Sequence, residues 1–271
     1  MKNRLTPYPV AGRVPSPDTR SGRDPGRGMS IRHDQGIVLR GYPFGEADRV
    51  LVIISPNHGQ VRAVAKGVRR TRSRFGGRLE PLTHVDLVLY QGRNLATVTQ
   101  VAVIEAFPRL RLDLDAVMVA GTMAEAVGKV VVEEEPSHRI FLLLLRGLRA
   151  LEEGAGGMDL LASFLLKLSE AIGQAPALEH CAACGARNRL GRFSMAGGGL
   201  ICERCDAGGT FRLREGLSEH LVRLAAADLS GFTTPDSNLA TDAVGLVRRF
   251  VEYHIESGLA GLAFGIGRGS R

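Results

Sequence analysis

"QVRAVAKGVRRTRSRFGGRLEPLTHVDLVLYQGRNLATVTQVAVIEAF", residues 60–107, decides the fold of this 271-residue chain. Three runs rich in Val, Ile and Leu, at Gln60 to Gly67, Thr83 to Gln91 and Leu95 to Phe107, are separated by turn signals at Gly76-Gly77 and Gly92-Arg93-Asn94. In the second run Val85, Leu87 and Leu89 alternate with His84, Asp86 and Val88, which gives the strand one buried face and one more polar face. Two similar runs precede them, Gly36 to Pro43 and Arg49 to Ser55, and Pro56-Asn57-His58-Gly59 marks the next turn. Five short strands with no intervening helix suit a small closed antiparallel barrel such as an oligonucleotide/oligosaccharide-binding (OB) fold. "KGVRRTRSRFGGR" is then the mobile loop between the third and fourth strands.

After Phe107 the apolar spacing changes from two to three and four, the period of a helix. Asp113 to Glu135, Pro136 to Gly154 and Gly157 to Gly173 read as helices, with Pro136 at a start and glycines at stops. Two more follow at Arg214 to Ala227 and Asn238 to Gly258, and in the last of these Val244, Val247, Val251 and Ile255 line one face while Arg248 and Arg249 point to solvent. The chain is therefore expected to be an α+β multidomain protein. A five-stranded OB-fold β-barrel (29–108) precedes a helical bundle (109–178 and 213–261) into which a ribbon (179–212) is inserted. Residues 1–28 hold five of the 12 prolines and no hydrophobic period, and 262–271 end in "GIGRGSR", so both ends are expected to be disordered. Met29 opens "MSIRHDQGIVLR" as a domain start, so the leader reads either as a basic arm or as a start-site artefact.

The ribbon holds every cysteine. Cys181, Cys184, Cys202 and Cys205 form C-x2-C-x17-C-x2-C, the spacing at which two tight turns present four thiolates to one tetrahedral zinc ion. Two disulfides would call for a secreted chain, and no signal peptide with an apolar core and small-residue cleavage site is legible. Four thiolates close the metal's coordination shell, so the zinc is expected to be structural, a single ion that folds the ribbon and leaves no position for water. Deaminase chemistry needs H-x-E with P-C-x-x-C, whereas here Glu179-His180 stands in the wrong order and no proline immediately precedes either pair.

Charge points to a different segment. Of the net +7, the leader carries +4, and the stretch from Arg62 to Arg78 carries seven basic residues and no acidic one. The remainder is thus about −4, and the positive potential is local. Arg62, Lys66, Arg69, Arg70, Arg72, Arg74 and Arg78 are candidate phosphate contacts, and Phe75, inside the run, is a candidate stacking residue or an anchor for the loop. Tyr42 and Phe44 bracket Pro43 in a turn and stand with Tyr90 as the other aromatics of the barrel region, open to a core role. The longest apolar run, Ile140 to Leu145, is too short to cross a membrane. No nucleophile–base pair, phosphate-binding glycine loop or magnesium-holding carboxylate set is legible.

The strings "GIVLRGYPFGEADRVLVIISPNHGQ" and "VAKGVRRTRSRFGGRLEPLTHVDLVLYQGRNLATVTQVAVIEAF" resemble the amino-terminal barrel of the bacterial recombination mediator family RecO. The resemblance continues through the helices and the four-cysteine ribbon, from Met29 to Gly261, and rests on "VAKG", the following "RR" and "SRFGG" in combination. It implies a non-enzymatic, cytoplasmic, nucleoid-associated DNA repair protein that binds single- and double-stranded DNA and anneals complementary strands. It further implies partnership with RecR, with the C-terminal tail of the single-stranded-DNA-binding protein SSB and, functionally, with the recombinase RecA. The DNA-binding role carries over to Lys66, Arg69, Arg70, Arg72 and Arg74. A zinc-ribbon transcription or ribosome-associated factor would share the charge and the cysteines, and a zinc-dependent nucleotide enzyme is the other class to be weighed.

Overall fold

Strands β1 (Ile31–Phe44), β2 (Asp48–Ser55), β3 (Gly59–Ala65), β4 (His84–Tyr90) and β5 (Ala96–Glu105) close a barrel in the order β1-β2-β3-β5-β4. The structure is a computed structural model that describes residues 30–92, 95–205, 209–232, 236–256 and 258–259; the leader 1–28 and the tail 262–271 lie outside the described residues. The barrel is not wholly antiparallel. β3 and β5 run in parallel, with Ala63 beside Ala96 and Val64 beside Thr97, which is how an OB-type barrel joins its ends. β1 is the long member because it is shared: residues 31–37 pair with β4 and residues 37–44 with β2. Its first half, "IRHDQ", lacks an apolar alternation, so the sequence pattern disclosed only its second half.

The barrel wall is apolar on both faces. Val38, Leu51, Ile53, Ala63, Val85 and Leu87 fill the interior, while Ile37, Leu39, Val52 and Ile54 belong to the larger core that the barrel's outside shares with the helices. Those helices are α1 (Leu114–Val130), α2 (His138–Glu152), α3 (Gly157–Ala171), α4 (Leu217–Ala226) and α5 (Ala240–His254). Asp113 caps α1 by accepting from the amides of Asp115 and Ala116. α3 is buried nearly all round and the other helices pack on it. On α5, Val244, Val247 and Val251 are buried as the stripe requires and Arg249 is exposed. Arg248 does not point freely into solvent, because it is half-buried and donates to Glu252 Oε1 at 2.9 Å.

The barrel and helices meet at two places. α1 stops five residues before the expected Glu135, since Val131 turns extended (ψ 129°) and the chain runs along the β2–β3 turn. There Gln60 N donates to Val132 O (3.0 Å), Gln60 Nε2 to Gly128 O (2.8 Å) and Ser137 N to Pro56 O (2.9 Å). Gly59 makes this approach possible, with φ +62° and with the carbonyl oxygens of Val132 and Glu135 each 2.3 Å from where a Cβ would sit. At the second place His84, expected on a polar face, is buried against the edge of Phe141 on α2, with ring centroids 5.6 Å apart. Burial depresses its pKa below the ordinary imidazole range despite Glu105 at 3.2 Å, a carboxylate that itself receives two bonds from Arg149.

Asp34 secures the same turn from within the barrel wall. It accepts from Ser55 Oγ, Asn57 Nδ2 (2.8 Å), His58 Nδ1 (2.8 Å) and the Gln35 amide (2.9 Å). Burial opposes its charge, but these bonds outweigh it and hold the carboxyl below the usual aspartate range.

Two outcomes follow from this interface. Gly59→Ala is expected to lose about 2–4 kcal/mol in denaturant unfolding, because both the positive φ and the two carbonyls forbid a methyl group; an unchanged midpoint would show that the turn relaxes freely. A carboxyl depressed in the folded state stabilises above its unfolded pKa of about 3.9, and that contribution is lost as pH falls through the folded value. Asp34→Asn should therefore be less stable at pH 7 and show a shallower acid limb below about pH 4 in thermal melts, whereas parallel curves for the two proteins would remove Asp34 from the acid response.

Candidate nucleic-acid interface and metal centre

The loop that leaves β3 is tied to the barrel at its start, its middle and its end. The Gly67 amide donates to Asp48 Oδ1 (2.7 Å) and the Arg69 amide to Ala47 O (2.9 Å), which seats the loop on the β1–β2 hairpin. Further on, Phe75 and Leu79 are buried in the barrel's interior cluster, joined by a 3-10 turn at Gly76–Leu79. Phe75 is 2% exposed, so the expectation that it stacks on a base is corrected: its ring is the loop's anchor. Arg74 lies over that ring with its guanidinium carbon 4.6 Å from the centroid.

Anchoring the backbone turns the cations outward. Arg62, Lys66, Arg69, Arg70, Arg72, Arg74 and Arg78 are all exposed. Among the described residues none of them pairs with a carboxylate. Their hydrogen bonds go to neutral oxygens: Arg62 Nη2 to Tyr42 Oη (2.9 Å), Arg69 Nη1 to Gly45 O (3.5 Å) and Arg78 Nη1 to Arg74 O (2.9 Å). The nearest ion pair, Arg49 with Glu80 at 3.2 Å, consumes a different arginine. The surface can therefore accept polyanionic charge without first breaking salt bridges. Tyr42 and Phe44 stand in β1 and not in a turn, and both rings are exposed; Tyr90 is half-buried.

The ribbon's three strands, β6 (Arg192–Ser194), β7 (Gly199–Ile201) and β8 (Thr210–Arg212), lie in the order β7-β6-β8. Its two cysteine turns converge so that the four sulfur atoms of Cys181, Cys184, Cys202 and Cys205 lie within 4.8 Å of one another. A tetrahedral ion with metal–sulfur bonds of about 2.3 Å needs sulfurs about 3.8 Å apart. Cys184 and Cys202 meet that at 3.8 Å, a separation no disulfide has. The donor set thus fits a thiophilic tetrahedral metal ion, and zinc matches it. Burial opposes ionisation of Cys181, but backbone amides of Cys202, Cys184 and Ala183 directed at its sulfur prevail and bring its pKa to about 6, ready for a cation. Cys205, in contrast, is pushed up to about 12 by the neighbouring sulfurs of Cys184 and Cys202. Phe193 and Leu200 pass from the ribbon into the helical core, where the Phe193 and Phe250 rings are 5.8 Å apart.

Folding also assembles a group the sequence does not disclose. Asp159, His220 and Ser237 meet under α4, the three residue types of a hydrolytic triad. Asp159 Oδ1 (2.7 Å) and Ser237 Oγ (3.0 Å) both address His220 Nε2, while Arg223 Nη2 lies 3.1 Å from Nδ1. An arginine only donates, so Nδ1 is the acceptor and the ring proton sits on Nε2, given to Asp159. That nitrogen has no lone pair with which to take the serine proton, and the set acts as a buried staple between α3, α4 and the start of α5.

The family model described as "Recombination protein O N terminal" matches residues 29–107, and "Recombination protein O C terminal" matches residues 111–263. Among curated proteins, the chain is 40% identical over 237 residues to "DNA repair protein RecO" of Thermobifida fusca, covering 86% of this chain and 98% of that one. It is 38% identical to the protein of the same title from Frankia casuarinae (87% and 98% covered) and 42% identical to that of a Nocardioides species (86% and 98% covered).

The sulfur geometry carries its own test. Cys202→Ser is expected to lose bound metal and to lower the melting temperature by at least about 5 °C, since each kcal/mol moves a chain of this size by roughly 2–4 °C. Metal content by mass spectrometry beside a thermal melt decides it, and retained metal with an unchanged melt would refute a structural centre.

Proposed function

The chain belongs to the RecO family of DNA repair proteins, and from that premise we propose that it is a recombination mediator with no catalytic activity of its own. In this reading it binds single- and double-stranded DNA, anneals complementary strands and, with RecR, promotes RecA loading on SSB-coated DNA in the cytoplasm, in association with the nucleoid. The observation that carries it is the run of seven exposed cations without carboxylate partners among the described residues, Arg62 on β3 and six on a loop anchored to an OB-type barrel.

The mechanism is electrostatic. Each phosphate neutralised by Arg62, Lys66, Arg69, Arg70, Arg72, Arg74 or Arg78 releases condensed counterions, and that release drives binding. Two strands held on one cationic surface repel each other less and meet at a higher local concentration, which favours pairing. A single zinc ion on Cys181, Cys184, Cys202 and Cys205 would hold the ribbon folded and contribute no reaction step. The groove between α2 and α3, where Leu142 and Leu143 lie among Arg146, Lys167 and an Arg139 paired with Glu170 at 2.7 Å, is where the acidic, apolar-ended tail of SSB would find apolar and cationic partners. The tautomer that Arg223 imposes on His220 supports the absence of hydrolytic chemistry.

Annealing of complementary oligonucleotides coated with SSB, measured across a salt series, tests the reading. The intact protein is expected to anneal, and a variant with Ala at Lys66, Arg69, Arg70, Arg72 and Arg74 to lose annealing together with most of its salt dependence, roughly 0.7 of slope per single-strand phosphate contact. Annealing by the variant at the intact rate would move the DNA site elsewhere, and no annealing by either protein would overturn the mediator reading.

A further inference from the structure

Beside the basic loop, the outer face of the barrel displays two aromatic rings that the core does not use. β1 slips by one residue at Leu39: Val38 pairs with Ile53, but Arg40 pairs with Val52. Val38 points into the barrel, and strict alternation would send Arg40, Tyr42 and Phe44 inward after it. The bulge reverses the phase. Gly41, itself exposed, now takes the side of Leu51, where a Cβ would meet Arg49 Cδ at 2.7 Å and the Leu51 side chain at 3.0 Å, and Tyr42 and Phe44 face outward, 38% and 50% exposed.

Two residues apart on one strand, the rings share a face at roughly 6.8 Å spacing. Across the sheet Tyr42 pairs with Val50 and Val50 with Val64, both outward-facing yet only 2% and 7% exposed, so the row beside the rings is apolar. The adjoining row is Arg40, Val52 and Arg62, with both arginines exposed. Arg62 donates to the Tyr42 hydroxyl at 2.9 Å, which orients the ring and leaves the phenolic proton for a phosphate oxygen. The Asp48 carboxylate opposite Phe44 is occupied by the Gly67 amide at 2.7 Å.

Exposed rings framed by cations match the chemistry of an unpaired base on its phosphate, whereas a duplex hides its base faces within the stack. We propose that Tyr42 and Phe44 form a stacking platform for unpaired bases of single-stranded DNA, with Arg62 and the basic loop holding the flanking phosphates. The proposal rests on the DNA-binding reading above and adds to it a preference for single strands at this face. The pair of rings, and not Phe75, supplies the aromatic half of the interface.

Anisotropy titrations of a labelled oligothymidylate and of a labelled duplex, each over a salt series, test it with the full chain. Tyr42→Ala combined with Phe44→Ala should weaken oligothymidylate binding by at least about ten-fold, leave its salt slope nearly intact and change duplex binding by less than about two-fold. Tyr42→Phe keeps the ring and should bind within about three-fold of the intact protein. The chain has no tryptophan, so Phe44→Trp supplies a single reporter whose emission should be quenched by oligothymidylate and not by duplex. Unchanged oligothymidylate affinity in the double variant, or equal losses on both DNAs, overturns the platform while leaving the DNA-binding reading in place. If the intact protein binds neither DNA, that reading falls and the platform with it.

Discussion

The barrel wall must be apolar on both sides, and the one-residue bulge at Leu39 is where β1 meets that constraint. Before it, Ile37 faces the helices and Val38 the interior; at it, Leu39 joins Ile37 outside without a change of strand direction. Ordinary alternation already places Ile37 and Leu39 outside; the extra residue puts Arg40 outside as well and re-aims everything that follows. Without the slip, Arg40 would point into an interior packed with Val, Leu and Ile, a cost far beyond what one strand pairing returns. The same slip leaves Tyr42 and Phe44 outside and exposed, so the strand that packs on the helices through Ile37 and Leu39 offers its end to solvent.

Six like charges on one loop, with Arg62 on the adjoining strand, repel one another, and the loop is held against that repulsion by apolar burial and amide bonds, not by counter-charges. Phe75 and Leu79 bury their side chains in the barrel, and the Gly67 and Arg69 amides bond to Asp48 and Ala47. An alternative design with interleaved carboxylates would be calmer in isolation and useless to a polyanion, since each pair would have to be broken on binding. Here the relief of repulsion is deferred until phosphates arrive. The cationic field is a stored preference for a ligand, and the anchor is what keeps the backbone from answering it by unfolding.

Much of this was legible in the residues. Five strands, five helices and a ribbon followed from periodicity and turn signals, and C-x2-C-x17-C-x2-C brought its sulfurs together as the spacing required. What escaped was set by tertiary context. Phe75 lies in a run of arginines and glycines that reads as solvent-exposed, yet the interior of a closed barrel can receive a side chain from a loop that no local pattern connects to it. Tyr42 and Phe44 were undecidable because a bulge changes the phase of a strand while leaving no residue type as its mark. His84 sits in a polar slot of an alternating strand, but the outside of the barrel is covered there by Phe141, so polar and exposed part company. The Asp159–His220–Ser237 staple joins residues far apart in sequence, and the crowding of Asp159 and Ser237 onto the same Nε2, with the donor direction of Arg223, tells it from a catalytic set. The parallel pairing of β3 with β5 likewise needs closure of the barrel, a global event, to exist.

The cores also explain why the metal centre and the DNA-binding loop can be distinct in consequence. The four-cysteine ribbon inserts Phe193 and Leu200 into the same hydrophobic cluster as α3, α4 and α5, so loosening the ribbon removes packing from the helical layer. The basic loop is anchored in the other cluster, the barrel interior, through Phe75 and Leu79. The two clusters are separated by the barrel wall itself, with Ile37 and Val52 on one side and Val38 and Leu51 on the other. Packing damage at the ribbon must therefore cross a hydrogen-bonded sheet before it reaches the loop's anchor. A sheet whose two faces belong to different cores lets the chain build a metal-dependent scaffold and a charge-dependent surface with little energetic cross-talk, which side chains sharing one cluster would not allow.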